Sequence, residues 1–178
     1  MYRAFQNVRT VTKTVTNGRL FLDDPKSKNG EFKRYVSVIF DGTMEVITQP
    51  QVITIWEDVG PLYALPWWVD NMPSEGFHPD FGTIKLTGNP ALLSTGVIRQ
   101  NVSGQQFPAT LDAAVYQVFD IPGYGRLHNK YPVVVQGTVD AIPPFHTACG
   151  CRSALLFDDH NHPRGIIGGR TLTLMGND

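Results

Sequence analysis

The sequence predicts one antiparallel all-β domain over residues 1–178, built either as a barrel or as a two-sheet sandwich with a long aromatic, proline-rich loop. About ten short runs rich in Val, Ile, Thr, Tyr and Phe follow one another at the spacing expected of strands and turns. The 17 Gly and 13 Pro that punctuate the chain supply turns and leave little room for long helices. No stretch has the composition of a linker, so the length is best explained by a single domain.

The N-terminal third alternates strand formers with turn signals. Asn17-Gly18 and Asp41-Gly42 are strong hairpin signals, so each predicts a tight turn between two strands. The stretch 24–30 is rich in charge and turn formers and is predicted as a loop, and Pro50 should interrupt the β pattern. The strands predicted in this part are 8–16, 19–22, 33–40, 44–48 and 51–57.

The segment 59–79 is predicted as an aromatic loop that covers the domain. Four prolines at this density exclude a long helix, because each removes a backbone donor and fixes φ. The segment combines Pro61, Pro66, Pro73 and Pro79 with Tyr63, Trp67, Trp68 and Phe77.

Strand patterns return in the C-terminal half. The run 111–119 is ambiguous, because its apolar residues also fit one face of a helix, but its Val, Tyr and Phe content favours a strand. The other strands predicted here are 82–87, 96–99, 131–140, 152–157 and 165–175.

Composition excludes several classes of partner and location. No basic cluster with interleaved aromatics suggests nucleic acid, no apolar run approaches the ~20 residues that span a bilayer, and residues 1–22 lack the apolar core of a signal peptide. Cys149 and Cys151 are too close to form an unstrained disulfide, so we expect free thiols in a reducing cytoplasm. With 17% charged residues and a net charge of −1, copies repel one another weakly, which favours a homo-oligomer.

A cluster of His and Cys between 146 and 162 has the residue types of a zinc site. A strand over 152–157 would separate its two parts by about 20 Å. If 132–140 pairs with 152–157, one end of the sheet gathers Asp140, His146, Cys149 and Cys151, and the other gathers His128, Asp158, His160 and His162. The second group is an alternative metal site, although a solvated turn explains the same residues.

The aromatic residues give the first functional hypothesis. Familiar signatures such as Gly-x-Ser-x-Gly, a phosphate-binding loop or His-Glu-x-x-His are missing from the sequence. Small β-barrels can hold one ligand inside, and ligand pockets are lined by apolar and aromatic side chains. The ligand-binding candidates are Trp56, Trp67, Trp68 and Phe77, and the candidates for moving a proton are Glu57, Asp58, Tyr63 and His78.

The sequence therefore leaves three functions open. The first is a pocket for a small apolar organic molecule, with cofactor-free isomerisation or cyclisation by holding the substrate in a reactive shape. The second is a metal-dependent enzyme that uses His128, Asp158, His160 and His162. The third is a non-catalytic, oligomeric assembly protein whose aromatic segment forms a subunit contact.

Overall fold

The computed structural model describes residues 9–23, 34–48, 51–56, 60–140, 145–150, 153–168 and 170–175. These residues form fifteen strands and contain no helix. The strands are β1 (Arg9–Leu22), β2 (Arg34–Thr48), β3 (Gln51–Trp56), β4 (Gly60–Asn71), β5 (Ser74–His78), β6 (Gly82–Gly88), β7 (Thr95–Val102), β8 (Gln105–Val115), β9 (Gln117–Ile121), β10 (Gly125–Asn129), β11 (Val133–Val139), β12 (Phe145–Gly150), β13 (Ala154–Phe157), β14 (Pro163–Ile167) and β15 (Arg170–Met175).

The fifteen strands are segments of eight long ones. β1 is one long strand by itself. Each of the other seven long strands consists of two consecutive segments, the first being β2 with β3 and the last β14 with β15. Each long strand pairs with the next along the chain, and both β14 and β15 pair back onto β1. The result is a closed, eight-stranded, up-and-down antiparallel barrel. The all-β prediction is confirmed, and of the two predicted architectures the chain adopts the barrel.

In most of the strands whose side chains are described, the side chains alternate between the barrel interior and the outer surface. In β2, Val36, Val38 and Phe40 are buried whereas Tyr35, Ser37 and Ile39, which alternate with them, are exposed. This period of two is the pattern of a half-buried strand. The sequence displays it directly, which is why the strands could be predicted.

Most of the long strands are interrupted near mid-height. Pro73 lies between β4 and β5, Pro90 between β6 and β7, and Pro132 between β10 and β11. A proline has no N–H to donate to a ladder, so these positions suit breaks between strand segments. The interruptions divide the barrel into two halves. The packed half consists of residues 18–22 of β1, residues 34–41 of β2, and the strands β5, β6, β9, β10, β13 and β14. The Trp67 half consists of the remaining parts of β1 and β2 and the strands β3, β4, β7, β8, β11, β12 and β15.

The two predicted hairpins in the N-terminal third are wrong. β1 and β2 run straight through both sites and pair with each other along their whole length. An added Cβ at Gly18 would lie 2.6 Å from Cε2 of Phe40, and one at Gly42 would overlap the carbonyl oxygen of Pro73. Both glycines therefore allow close packing inside the barrel, and neither forms a turn.

The predicted aromatic loop over 59–79 is also wrong, because most of it forms β4 and β5. Pro61 and Pro66 lie within β4, opposite Ile55 and Val97. A proline lacks the donor but keeps its carbonyl acceptor, so it can occupy a strand when its neighbours do not need its N–H. The favoured strand over 111–119 is confirmed as β8 and β9, with a break at Tyr116.

The predicted pairing of 132–140 with 152–157 is wrong. β11 pairs with β8 and β12, whereas β13 pairs with β10 and β14. His146 and Cys149 consequently lie within strand β12 rather than in a loop, and Cys151 lies outside the described residues. The cause is the extra strand β12, whose mixed sequence gave no clear strand pattern.

Candidate functional site

The interior of the packed half is filled by large apolar side chains. Phe40 and Phe119 are fully buried, and their rings meet edge to face with centroids 5.9 Å apart. The side chains around them keep at most 1% of their surface accessible: Leu20, Leu22, Val36, Ile84, Leu86, Leu127, Leu156 and Ile167. Interiors packed at this density leave no room for a ligand.

A polar network closes the outer end of the packed half. Arg164 donates from Nε to Asp23 at 2.7 Å, and the Tyr124 hydroxyl bonds both Asp23 and the Arg164 carbonyl oxygen. The Arg164 guanidinium also lies 5.1 Å from the centre of the Tyr124 ring. Its hydrogen bond to Asp23 raises the pKa of Arg164 above its usual range. These contacts tie together the β1, β10 and β14 ends.

His78, one of the predicted proton-transfer residues, belongs to this closed end. Its Nδ1 accepts the backbone N–H of Asp80 at 3.2 Å, and its ring lies 5.5 Å from that of Phe81. Phe81 in turn packs under the Arg34 guanidinium at 4.4 Å. His78 therefore stabilises the turn between β5 and β6, and the barrel topology separates it from Tyr63 at the opposite end of β4 and β5.

The Trp67 half is packed less tightly. Five of its inward side chains keep 6–7% of their surface accessible: Met44, Thr48, Trp67, Ala113 and Val115. On β11, by contrast, Val133, Val135 and Val139 keep at most 1%. These residual accessible areas lie on β2, β4 and β8.

Small residues lie beside Trp67 on one cross-strand row. Thr48 pairs with Trp67, Trp67 with Gly96, and Gly96 with Ala113. An added Cβ at Gly96 would overlap Cζ2 and Cε2 of Trp67 and lie 2.8 Å from the Asp112 carbonyl oxygen. The indole ring therefore lies directly on the Gly96 backbone, and only glycine leaves room for it there.

Polar groups also face the interior of this half. Thr14, Thr16, Thr48 and Gln100 are all buried. Gln100 donates from Nε2 to the Gln105 carbonyl oxygen at 3.2 Å. An apolar interior with a few placed polar groups is the usual composition of a small-molecule site.

A lateral cavity of about 400 Å³ lies in the barrel wall between two paired regions, the β4–β7 pairing on one side and the β5–β6 pairing on the other. It is lined by residues of 69–72, 87–91, Leu93 and Ser94. Val69 and Met72 belong both to this cavity and to the buried core, and Met72 Sδ accepts from Gln117 Nε2 at 3.9 Å. These two side chains therefore separate the lateral cavity from the barrel interior.

The predicted aromatic pocket is assembled only in part. Trp67 faces the interior, whereas Trp68 follows it on the opposite face of β4 and Phe77 is 70% exposed on the outer surface. For Trp56 and Tyr63 the structure describes the backbone, in β3 and β4. Glu57 and Asp58 lie outside the described residues, so the prediction for them stays open.

The alternative metal site is not assembled among the described residues. His128 pairs with Phe157, and their rings lie 6.4 Å apart. Asp158 Oδ1 accepts the backbone N–H groups of His160 and His162, both at 2.9 Å, and the two imidazoles are exposed. No group of three or more His, Cys, Asp or Glu in the described ranges is arranged to hold a metal ion.

The Asp158 carboxylate is instead the organising group of the turn between β13 and β14. The backbone N–H of His162 is the main cause that lowers the pKa of Asp158, assisted by the N–H of His160 and by the nearby His162 and Arg164 side chains. This is the behaviour of a carboxylate that caps a turn with its charged form. The solvated-turn interpretation of these residues describes what the structure contains.

Part of the outer surface is apolar. Phe21, Tyr35, Ile39, Phe77 and Leu155 are between 36% and 70% exposed, and the rings of Phe21 and Tyr35 lie 5.2 Å apart. Contiguous exposed apolar side chains often mark contact surfaces. The expected homo-oligomer stays a prediction.

Two residues that shape the interior, Gly96 and Ala113, were not predicted. Neither residue type indicates a binding site in the sequence. A glycine or an alanine in one strand can be told from those in other strands only by the side chain that lies opposite it. Their importance depends on Trp67, which lies 29 positions before Gly96 in the sequence. The pairing register was needed to find them.

Comparison with known proteins identifies a shared fold. No protein-family model and no curated protein matches the chain. Among solved structures, DynF from the dynemicin biosynthesis pathway of Micromonospora chersina matches with a TM-score of 0.76 and 23% identity, covering 96% of this chain and 81% of the DynF chain. The described residues contain no helix that is long and apolar enough to cross a membrane. The chain is thus similar in fold to a protein of a natural-product pathway.

Proposed function

We propose that this protein binds a small, largely apolar organic molecule inside the Trp67 half of its barrel. The observation that supports the proposal is the difference between the two halves. Five buried side chains of the Trp67 half keep 6–7% of their surface accessible, whereas the large side chains that pack with Phe119 and Phe40 keep at most 1%. Eight-stranded barrels either fill with side chains or hold one small ligand, and this chain combines both arrangements.

The similarity to DynF supports a biosynthetic setting. DynF is named for a natural-product pathway, and we propose that this chain acts on an intermediate or product of comparable chemistry. Within that setting, a cofactor-free isomerisation or cyclisation remains our proposal for catalysis, since a shaped apolar pocket can hold a substrate in its reactive conformation. Tyr63, Glu57, Asp58 and His78 are the proposed proton-transfer groups; His78 lies at the opposite end of the barrel from Tyr63, where β5 meets β6.

The binding proposal can be tested by filling the interior space. Nile red, an apolar fluorescent probe, should bind the parent protein with about one equivalent per chain. Ala113→Leu adds three carbons beside Trp67 and should weaken binding at least about tenfold, because the added side chain occupies the space of the probe.

A matched variant in the packed half controls for general destabilisation. Val36→Ala removes carbons from a side chain that is 1% exposed, so it should lower stability without changing probe affinity. Equal probe affinity in the parent and in Ala113→Leu would contradict an interior site in the Trp67 half. Probe release by Val36→Ala alone would place the site in the other half.

A further inference from the structure

Trp67 presents a buried hydrogen-bond donor that has no partner. Its side chain is 7% exposed, and Nε1 finds no acceptor in the described part of the chain. The indole nitrogen is a donor only, so no lone pair or rotation can satisfy it in another way. Buried indole N–H groups usually have a partner, and an unpaired one in a native structure requires an explanation.

The indole ring is packed against backbone. Its Cε2 and Cζ2 atoms lie against Gly96, and the Asp112 carbonyl oxygen lies on the same side of that glycine, 2.8 Å from the position of an added Cβ. Cε2 is the carbon bonded to Nε1, so the donor edge of the ring is held at the Gly96 position. The next residue across the sheet is Ala113, whose side chain is a single methyl group that keeps 7% of its surface accessible.

The surroundings of the donor favour a neutral acceptor. None of the described Lys and Arg side chains is buried, so nothing among them would compensate a carboxylate or phosphate inside the barrel. A ketone or quinone oxygen needs only one good donor, and the rest of such a molecule can pack against Met44, Val115 and the apolar wall.

We infer that the Trp67 indole N–H is the polar contact that orients the ligand, and that the ligand is a flat, ring-sized apolar molecule carrying a carbonyl oxygen. This inference rests on the proposed interior site and adds the recognition chemistry. Trp67 is a ligand-binding residue in this view, with Gly96 holding its ring in place.

The test compares probes that differ only in the acceptor. 9-Fluorenone and fluorene have nearly the same shape, as do 1-tetralone and tetralin, and only the first member of each pair carries a carbonyl oxygen. The ratio of ketone to hydrocarbon affinity is measured by calorimetry or by Nile red displacement in the parent, in Trp67→Phe and in Trp68→Phe. A neutral hydrogen bond predicts that the ratio falls about five- to tenfold in Trp67→Phe.

Trp68→Phe is the matched control, because it removes an indole from the adjacent residue on the opposite face of the same strand. Its ketone-to-hydrocarbon ratio should equal that of the parent. A second readout needs no variant: in a spectrum of ¹⁵N-labelled parent protein, one indole N–H signal should move downfield with 9-fluorenone and stay nearly unmoved with fluorene. This readout keeps the inference testable even if Trp67→Phe fails to fold.

The outcomes separate the inference from the proposed function. If ketones and hydrocarbons bind alike in the parent and in Trp67→Phe, and no indole signal responds to the ketone, the recognition role is wrong while the binding site stands. If all four probes fail to bind the parent protein at their solubility limits, the interior site and the inference both fall. An equal loss of the ratio in Trp68→Phe would also overturn the assignment to Trp67.

Discussion

Truncating Phe119 should unfold the protein at much lower denaturant concentration while leaving ligand binding by the folded protein intact. Phe119 is fully buried and meets the fully buried Phe40 edge to face, with ring centroids 5.9 Å apart. Phe119→Ala removes the ring from a close-packed interior that cannot collapse around the gap, since the barrel wall is fixed by strand pairing on both sides.

The expected loss follows from burial and from the ring pair. A fully buried Phe→Ala change costs about 3–5 kcal/mol, a total in which the edge-to-face contact accounts for about 0.5–1.5 kcal/mol. At about 2–4 °C per kcal/mol for a chain of this size, the melting temperature should fall by roughly 6–20 °C. The double variant with Phe40→Ala should lose less than the sum of the two single losses, because the ring contact is counted in both.

Urea denaturation followed by circular dichroism measures these losses, and Phe77→Ala is the control of the same residue type. Phe77 is 70% exposed, so its truncation should change stability by no more than about 0.5 kcal/mol. A loss below about 1 kcal/mol for Phe119→Ala would refute the reasoning. It would mean that the half around Phe119 is not close-packed, and the interior space could then not be assigned to the Trp67 half alone.

Four further outcomes are expected. Gly96→Ala should cost about 1–3 kcal/mol and alter Trp fluorescence, because the new methyl group displaces the Trp67 ring; an unchanged emission spectrum would contradict that contact. Because the pKa of Asp158 is lowered in the folded protein, its carboxylate contributes stability that is present at neutral pH and lost as the pH falls below about 4. The urea midpoint of the parent should therefore fall over this pH range, and Asp158→Asn should lack that contribution to the fall. The parent should elute as an oligomer that Ile39→Lys shifts toward monomer, since Ile39 is 60% exposed on the apolar outer surface; a monomeric parent would contradict the self-association. Elemental analysis of purified protein should find no stoichiometric transition metal, and about one zinc ion per chain would restore the metal hypothesis.

The strands with a clear alternating pattern could be predicted because that signal is local. Alternation of apolar and polar residues in β2 follows from the pleat and needs no partner strand. The Asn17-Gly18 dipeptide shows the limit of prediction from local sequence. The same dipeptide suits a tight turn or a strand position where an aromatic ring packs on the backbone. Phe40, 22 positions after Gly18, determines that this glycine makes room for a ring.

The site was predictable to the extent that it depends on large side chains. Trp67 was selected because an aromatic residue is a candidate for a pocket wall wherever it lies. The predicted loop over 59–79 does not define its orientation. In the observed strand, successive side chains point to opposite faces of the sheet, so Trp67 and Trp68 face in opposite directions. The unpaired state of Nε1 is a property of the closed barrel and has no trace in the sequence.

The two halves explain how one small barrel can combine stability with an open interior. β1 and β2 pair with each other along their full length and belong to both halves, so the rigid packing around Phe40 also holds the strands that carry Thr14 and Met44. Interior space and an unpaired donor near Trp67 are unfavourable, and the apolar burial around Phe119 offsets them within the same cooperative unit. Substitutions should therefore separate by position. In the packed half, substitutions should change stability far more than ligand affinity. At Trp67, Gly96 or Ala113, they should change ligand affinity far more than substitutions of similar size at other buried positions do.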